Sequence, residues 1–270
     1  INIVDANHGQ ILQTVRLDLS TPGGLLYDDL KPLLRDRAGY IWIGTWGVGL
    51  QRVNANNTAI RTLKHSAKRS TGLSHPDVSS LLELQDGRLL VGTSGNGIDI
   101  IDRKLGLVGG YRMTSSRSNT KGIKLQGLPD KVIPALAQTT DGVIWVGTQE
   151  AGLLRLHPKT SQWELITGLP DPQVRRLFAA SDGSLWIGTD HGIARWRQGN
   201  TAEILKDSLG QAILVTVFSF AEDQDHRIWI GTDQGLWVHE PGQTMLKQVV
   251  YEKHSGLVSV YVQTLITLIE

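Results

Sequence analysis

The chain has 270 residues, 40% of them apolar and 20% charged, with 27 Lys and Arg against 26 Asp and Glu. A net charge of +1 removes the electrostatic footprint of a nucleic-acid binder. The absence of cysteine excludes a disulfide framework and a thiolate metal site.

The apolar stretch at 212–218 falls far short of the ~18–20 residues that cross a bilayer. The chain opens at Ile1 rather than Met and carries no signal peptide, so it reads as a segment of a longer protein. Residues 1–5 parallel 98–102, which places the start on the third strand of a repeat. One phrase then recurs five times. It runs from Asp36 through Gly39 and Trp42 to Gly44 and Thr45, and from Asp86 to Thr93. The later copies run from Asp141 to Thr148, Asp182 to Thr189 and Asp225 to Thr232. The threonines are spaced by 48, 55, 41 and 43 residues. That period suits a four-stranded propeller blade, roughly 40–50 residues. The apolar spacing of a helical repeat is missing.

Each repeat reads as four strands, A to D from the inside outward. Strand A is a short apolar run, at 78–84, 132–137, 174–179 and 215–221. Asp-Gly then predicts a type I′ hairpin turn, with left-handed backbone at both central residues. Strand B follows, with Ile41, Trp42 and Ile43 in the first copy, and Gly-Thr ends it. A further glycine (Gly49, Gly97, Gly152, Gly192, Gly235) leads into strand C, and a polar turn into strand D. Pro32 and Pro134 in strand A fit an innermost strand, whose edge tolerates a missing N–H. Residues 262–270 match 78–86, so the chain stops inside another strand A. The predicted fold is all-β, a β-propeller of four-stranded blades in a single domain over 1–270. Five blades are complete, with cores near 29–54, 78–102, 132–157, 174–197 and 215–240. The N- and C-terminal fragments assemble a sixth. The alternative is a piece of a seven-bladed ring, whose open edge would favour a homodimer.

Trp42, Trp145, Trp186 and Trp229 hold one place in four blades. They read as structural, filling the gap between neighbouring blades with the indole N–H on a backbone carbonyl. The glycine-rich stretches 44–49 and 92–97 mimic phosphate loops but lead into a strand instead of a helix. Asp223 and Asp225 lack the further oxygen ligands of a calcium loop. The eight histidines show no close ligand spacing, and no nucleophile elbow appears. No catalytic residue, metal or cofactor is therefore expected. The D-to-A and B-to-C loops share one face of a propeller, where ligands bind on a rigid scaffold. The first set supplies Tyr27, His75, Asp77, Lys131 and Tyr261 as candidate ligand-binding residues. The second supplies Trp46, Asn96, Gln149, Glu150, Asp190, His191, Asp233 and Gln234. The insertion at 111–124, rich in Ser, Arg and Asn, reads as a mobile loop, with a cap over the site or a contact segment as the alternatives.

At these residues the sequence resembles the two-component regulator propeller repeat, Asp-x-x-Gly-x-[Leu/Ile]-Trp-[Ile/Val]-Gly-Thr followed by Gly-Leu. Residues 36–45 fit it throughout. Leu90 stands where Trp is usual and His226 where Gly is usual. The inter-blade phrase Gly-Leu-Pro recurs at 127–129 and 168–170. The resemblance implies a periplasmic sensor region of an inner-membrane receptor, whose output is a histidine kinase, often hybrid, or a diguanylate cyclase. Some members sense carbohydrates. The expected function is non-catalytic sensing of an extracytoplasmic small molecule or carbohydrate by a membrane-anchored parent protein. Two alternatives stand beside it. One is a protein-interaction scaffold. The other is a propeller polysaccharide lyase or glycosidase, which needs a convergent cluster of Asp, Glu, His or Tyr with perturbed pKa values.

Overall fold

A computed structural model describes residues 2–4, 11–14, 30–54, 57–65, 72–102, 104, 106–113, 124–125, 127–157, 162–249 and 261–263. The described residues form strands and turns, without a helix. Contacts divide the chain into two units, Ile1–Gly110 and Tyr111–Glu270.

In the first unit, β1 (Asn2–Val4) pairs antiparallel with β2 (Ile11–Thr14). Two four-stranded meanders follow. The first is β3 (Leu30–Arg35), β4 (Tyr40–Thr45), β5 (Leu50–Asn54) and β6 (Asn57–Leu63). The second is β7 (Val78–Glu83), β8 (Leu89–Thr93), β9 (Ile98–Asp102) and β10 (Gly106–Tyr111). The second unit holds three more sheets. The first begins with a short outer strand, β11 (Lys124–Leu125), which lies against the fourth strand of a meander. That meander is β12 (Ala135–Gln138), β13 (Ile144–Gly147), β14 (Leu153–His157) and β15 (Gln162–Ile166). Next come β16 (Val174–Ala179), β17 (Leu185–Thr189), β18 (Gly192–Trp196) and β19 (Glu203–Ile204). The last sheet opens with β20 (Lys206–Asp207), which lies parallel to its outermost strand. Its meander is β21 (Val217–Glu222), β22 (Ile228–Thr232), β23 (Gly235–His239) and β24 (Met245–Gln248). Strand A is an edge in all five sheets, which is where Pro32 falls. These are propeller blades. The sequence pattern does not announce β11 and β20, two-residue additions on outer edges.

The turn between strands A and B differs from the predicted type I′ form. The N–H of Gly39 donates to the Asp36 carbonyl at 2.9 Å, and the Asp36 N–H donates to Tyr40 at 2.9 Å. Gly87, Gly142, Gly183 and His226 repeat the first bond. These five positions have positive φ, and the residue before each, Ala38 in the first blade and Asp in the others, does not. The loop is the three-residue kind that ends in a left-handed residue and a bulge. Glycine takes that conformation freely. In the fifth blade His226 adopts it at φ 59°. His226→Gly is therefore expected to stabilise the chain by about 0.5–1 kcal/mol. The loss of the exposed His226–Glu222 pair offsets little of this. Chemical denaturation measures it, and an unchanged or lower midpoint contradicts it.

Strand-B tryptophans hold the blades together, but their N–H does not reach a backbone carbonyl as predicted. The acceptor is a side chain six residues earlier. Trp42 Nε1 donates to Asp36 Oδ2 at 2.8 Å, Trp145 to Thr139 Oγ1 at 3.0 Å and Trp229 to Asp223 Oδ2 at 2.6 Å. The other oxygen of Asp36 accepts from the N–H groups of Ala38 and Tyr40, so one carboxylate ties the turn to the indole. Asp223 repeats the pattern with Asp225 and Arg227. Burial works to raise the Asp223 pKa, but bonds from Trp229 and Arg227 outweigh it and hold it below the usual value. The fourth blade has Ala180 in this place, and Trp186 Nε1 is buried without a partner among the described residues. The second blade has Leu84 and Leu90, so neither group is present.

A buried donor without an acceptor costs on the order of 1–3 kcal/mol. Ala180→Ser supplies a hydroxyl where Thr139 carries one. It is expected to raise stability by about 1 kcal/mol and the melting temperature by about 2–4 °C. Differential scanning calorimetry tests this, and a fall in melting temperature contradicts it.

Strand C adds a cation. The register sets Trp42 opposite Arg52, Trp145 opposite Arg155 and Trp186 opposite Arg195. Each guanidinium lies over its ring, at 5.4, 5.8 and 5.5 Å from the centroid. In the fifth blade Val238 takes the arginine's place and Arg227 covers Trp229 from the turn. Arg195 is 2% exposed, held by Glu203 at 3.0 Å and set beside His239. Burial first, and the Arg195 charge after it, pull the His239 pKa below its ordinary value.

The Gly-Thr pair closes each blade. Thr45, Thr93, Thr148, Thr189 and Thr232 are fully buried, and each hydroxyl donates to the carbonyl of the glycine opening strand C at 2.7–2.9 Å. In the first, third and fourth blades the preceding glycine receives strand A of the next blade. A Cβ on Gly147 or Gly188 would sit 2.5 Å from Val174 or Val217 Cγ1. A Cβ on Gly231 would meet the Val262 carbonyl oxygen, Ser219 Oγ at 2.5 Å and Val262 Cγ1 at 2.9 Å. The Val262 N–H bonds the Thr232 carbonyl at 2.9 Å, as Val174 bonds Thr148 at 3.0 Å. Residue 262 thus holds the strand-A position beside the fifth blade. Residues 264–270 lie outside the described residues.

Candidate functional site

The loop candidates are stapled within their own blades. In the second blade, the Asp77 N–H donates to His75 Nδ1 at 3.1 Å. The His75 ring fills the space where Gly95 lacks a Cβ. Asn96 reaches the Ser74 carbonyl at 3.4 Å. In the third, Gln149 N–H bonds Val132 at 3.3 Å and Glu150 N–H bonds Asp130 Oδ2 at 2.7 Å, with Lys131 exposed between. In the fourth, Arg175 pairs with Asp190, and His191 Nδ1 lies 2.8 Å from Asp171 Oδ2. In the fifth, Asp233 and Thr216 exchange backbone and side-chain bonds, and Gln234 reaches the Leu214 carbonyl at 3.1 Å. Trp46 is 44% exposed. Tyr27 and most of the 111–124 insertion lie outside the described residues. These bonds satisfy loop backbone that no ladder covers.

A cavity opens elsewhere in the second unit. It has a volume of about 290 Å³ and is lined by Arg176, Leu177 and Phe178 of β16, Phe218, Ser219 and Phe220 of β21, and Gln263. Strands β16 and β21 pack side by side as neighbouring strands A. A bulge between Val217 and Ser219 breaks the alternation along β21, so Phe220 turns to the fourth blade while Phe218 turns toward Tyr261, and both line the cavity. The Phe178 and Phe220 rings stack at 6.3 Å with 26° between planes. Phe218 stacks on Tyr261 at 6.3 Å and 22°, which brings that one loop candidate to the cavity's edge. Arg176 Nε donates to the Phe218 carbonyl and Nη1 to the Arg175 carbonyl, both at 2.8 Å. Desolvation and the Arg175 charge lower its pKa, and a guanidinium stays charged regardless. Sequence reasoning missed this site because strand A carries no motif. The signal was available, since all three phenylalanines of the chain lie here. Among the described residues no group of three His, Cys, Asp or Glu is placed to hold a metal ion.

Fold and repeats together define a β-propeller built on Trp-x-Gly-Thr blades. Residues 127–150, 168–191 and 213–234 match the two component regulator propeller family. No curated protein matches the chain. Solved structures do. One, described as the extracellular domain of the hybrid two component system BT3049 from B. thetaiotaomicron, is 22% identical over 96% of this chain and 37% of its own, with a TM-score of 0.43. Another, described as the extracellular domain of the one component system BT4673 from B. thetaiotaomicron, is 17% identical over 87% of this chain and 35% of its own, with a TM-score of 0.51. Virginiamycin B lyase from Staphylococcus aureus is 14% identical over 82% of this chain and 69% of its own, with a TM-score of 0.61. The chain spans little more than a third of the two extracellular domains. At these identities the likeness is one of fold, and this fold serves a lyase as well as the extracellular domain of a one component system.

Proposed function

We propose that the chain is the non-catalytic sensor propeller of a membrane-anchored signalling receptor, and that it binds an extracytoplasmic small molecule. One observation carries the reading: in a chain of regulator-propeller repeats, the inner strands present a hollow of ring faces, one guanidinium and one amide. Such groups hold a ligand, whereas none of them exchanges protons near neutral pH. Signalling would follow from a difference in ligand affinity between two receptor states. The periplasm, an inner-membrane anchor and a kinase or cyclase output belong to this proposal, supported by the family of the repeats.

The test is a panel of neutral saccharides, sugar acids, amino acids and aromatic acids, with melting temperature and ligand NMR read together. The sensor reading predicts that one class raises the melting temperature and returns chemically unchanged. Turnover would identify an enzyme. Silence across the panel in a folded chain would identify an interaction scaffold.

A further inference from the structure

We infer that the hollow on β16 and β21 binds a small aromatic carboxylate. The inference rests on the sensor reading and supplies its ligand class. Phe178, Phe218 and Phe220 line the hollow. Ring faces favour flat apolar partners, stacked or edge-on. The volume of about 290 Å³ suits a ligand of one or two rings.

Arg176 supplies the charge. Two of its nitrogens are fixed by the Phe218 and Arg175 carbonyls, so the guanidinium is held in place. Its third nitrogen, Nη2, has no partner among the described residues. A positioned guanidinium with free N–H groups selects a carboxylate. Gln263 brings an amide that makes no hydrogen bond among the described residues. Ser219 Oγ does not add to this, because it is buried against Gly231. A polyol would strip water from many hydroxyls and find two polar side chains in return, and each unpaired hydroxyl costs affinity. An aromatic acid leaves one charged group to satisfy and buries the rest on the rings.

The experiment is a calorimetric titration of the whole chain with phenylacetate, its neutral isostere phenylacetamide, and glucuronate. Phenylacetate is expected to bind saturably, with phenylacetamide weaker by roughly ten- to a hundredfold, the range of a charge-assisted bond. Arg176→Gln should lose the same factor, and Arg176→Lys less, with circular dichroism unchanged. The phenylacetate and phenylacetamide comparison needs no variant, so it stands even if Arg176→Gln fails to fold. Equal affinity for the two probes overturns the inference, as does full affinity in a folded Arg176→Gln chain. Binding of glucuronate without phenylacetate also overturns it, yet leaves the sensor reading intact. Binding followed by conversion of phenylacetate keeps the site and removes the sensor reading.

Discussion

Gly188→Ala is expected to destabilise the chain by about 3 kcal/mol or more, the upper range of overpacking. A Cβ there would lie 2.5 Å from Val217 Cγ1, 2.6 Å from Val217 Cβ and 3.1 Å from Phe220 Cε2. The Val217 Cβ cannot swing away by changing rotamer, so β17 and β21 must separate. Strand β17 pairs with β16 and β18 on its two sides, so movement also strains those ladders. At about 2–4 °C per kcal/mol for a chain of this size, the melting temperature should fall by roughly 6–12 °C. Gly183→Ala is the control. Gly183 has φ +83° and open space around it, so its alanine costs about 1 kcal/mol of backbone strain alone. Equal losses at the two glycines would refute the claim that Gly-Thr exists to admit the next blade.

Trp145→Ala is expected to cost about 3–5 kcal/mol, the range for a large buried aromatic. Trp145 is fully buried among residues of the third and fourth blades, including Val174, Leu185 and Ile187. Its ring lies 4.4 Å from that of Trp196, and Arg155 covers it. Removal also takes away one of the two rings the Arg155 guanidinium covers, leaving Trp196. Trp229, only partly buried and covered by Arg227 from the turn, should cost less. Urea denaturation of both variants measures the order. A loss under about 1.5 kcal/mol at Trp145, or a larger loss at Trp229, would contradict the inter-blade role.

The blades were legible because the repeated phrase encodes a turn, a strand end and a close approach at fixed offsets. The turn type was not. Asp86-Gly87 looks like a two-residue loop, but the hairpin closes from Leu84, and only Gly87 needs positive φ. The indole partner was hidden for a related reason. The acceptor position holds Asp36, Thr139 and Asp223 in three blades but Leu84 and Ala180 in the others, so no single letter marks it. The candidate site was less legible. His75, Asn96, Asp190 and Gln234 are the residue types that contact ligands, and also the types that staple loops; composition cannot separate the two uses. Each is engaged in its own blade. The hollow depends on two strands A, 42 residues apart at Arg176 and Phe218, lying side by side. Only the propeller arrangement brings them together.

The central claim is that ligand recognition sits on the inner strands, and the chain offers a direct probe of it. Phe178, Phe218 and Phe220 are its only phenylalanines. Uniform labelling with fluorophenylalanine therefore places three fluorine signals in the hollow and none elsewhere. Fluorine NMR is recorded while a ligand that raises the melting temperature is titrated. The account predicts that the three signals move together and saturate with the stabilisation. A ligand that stabilises the chain while leaving all three signals in place would put recognition on the loops and contradict it.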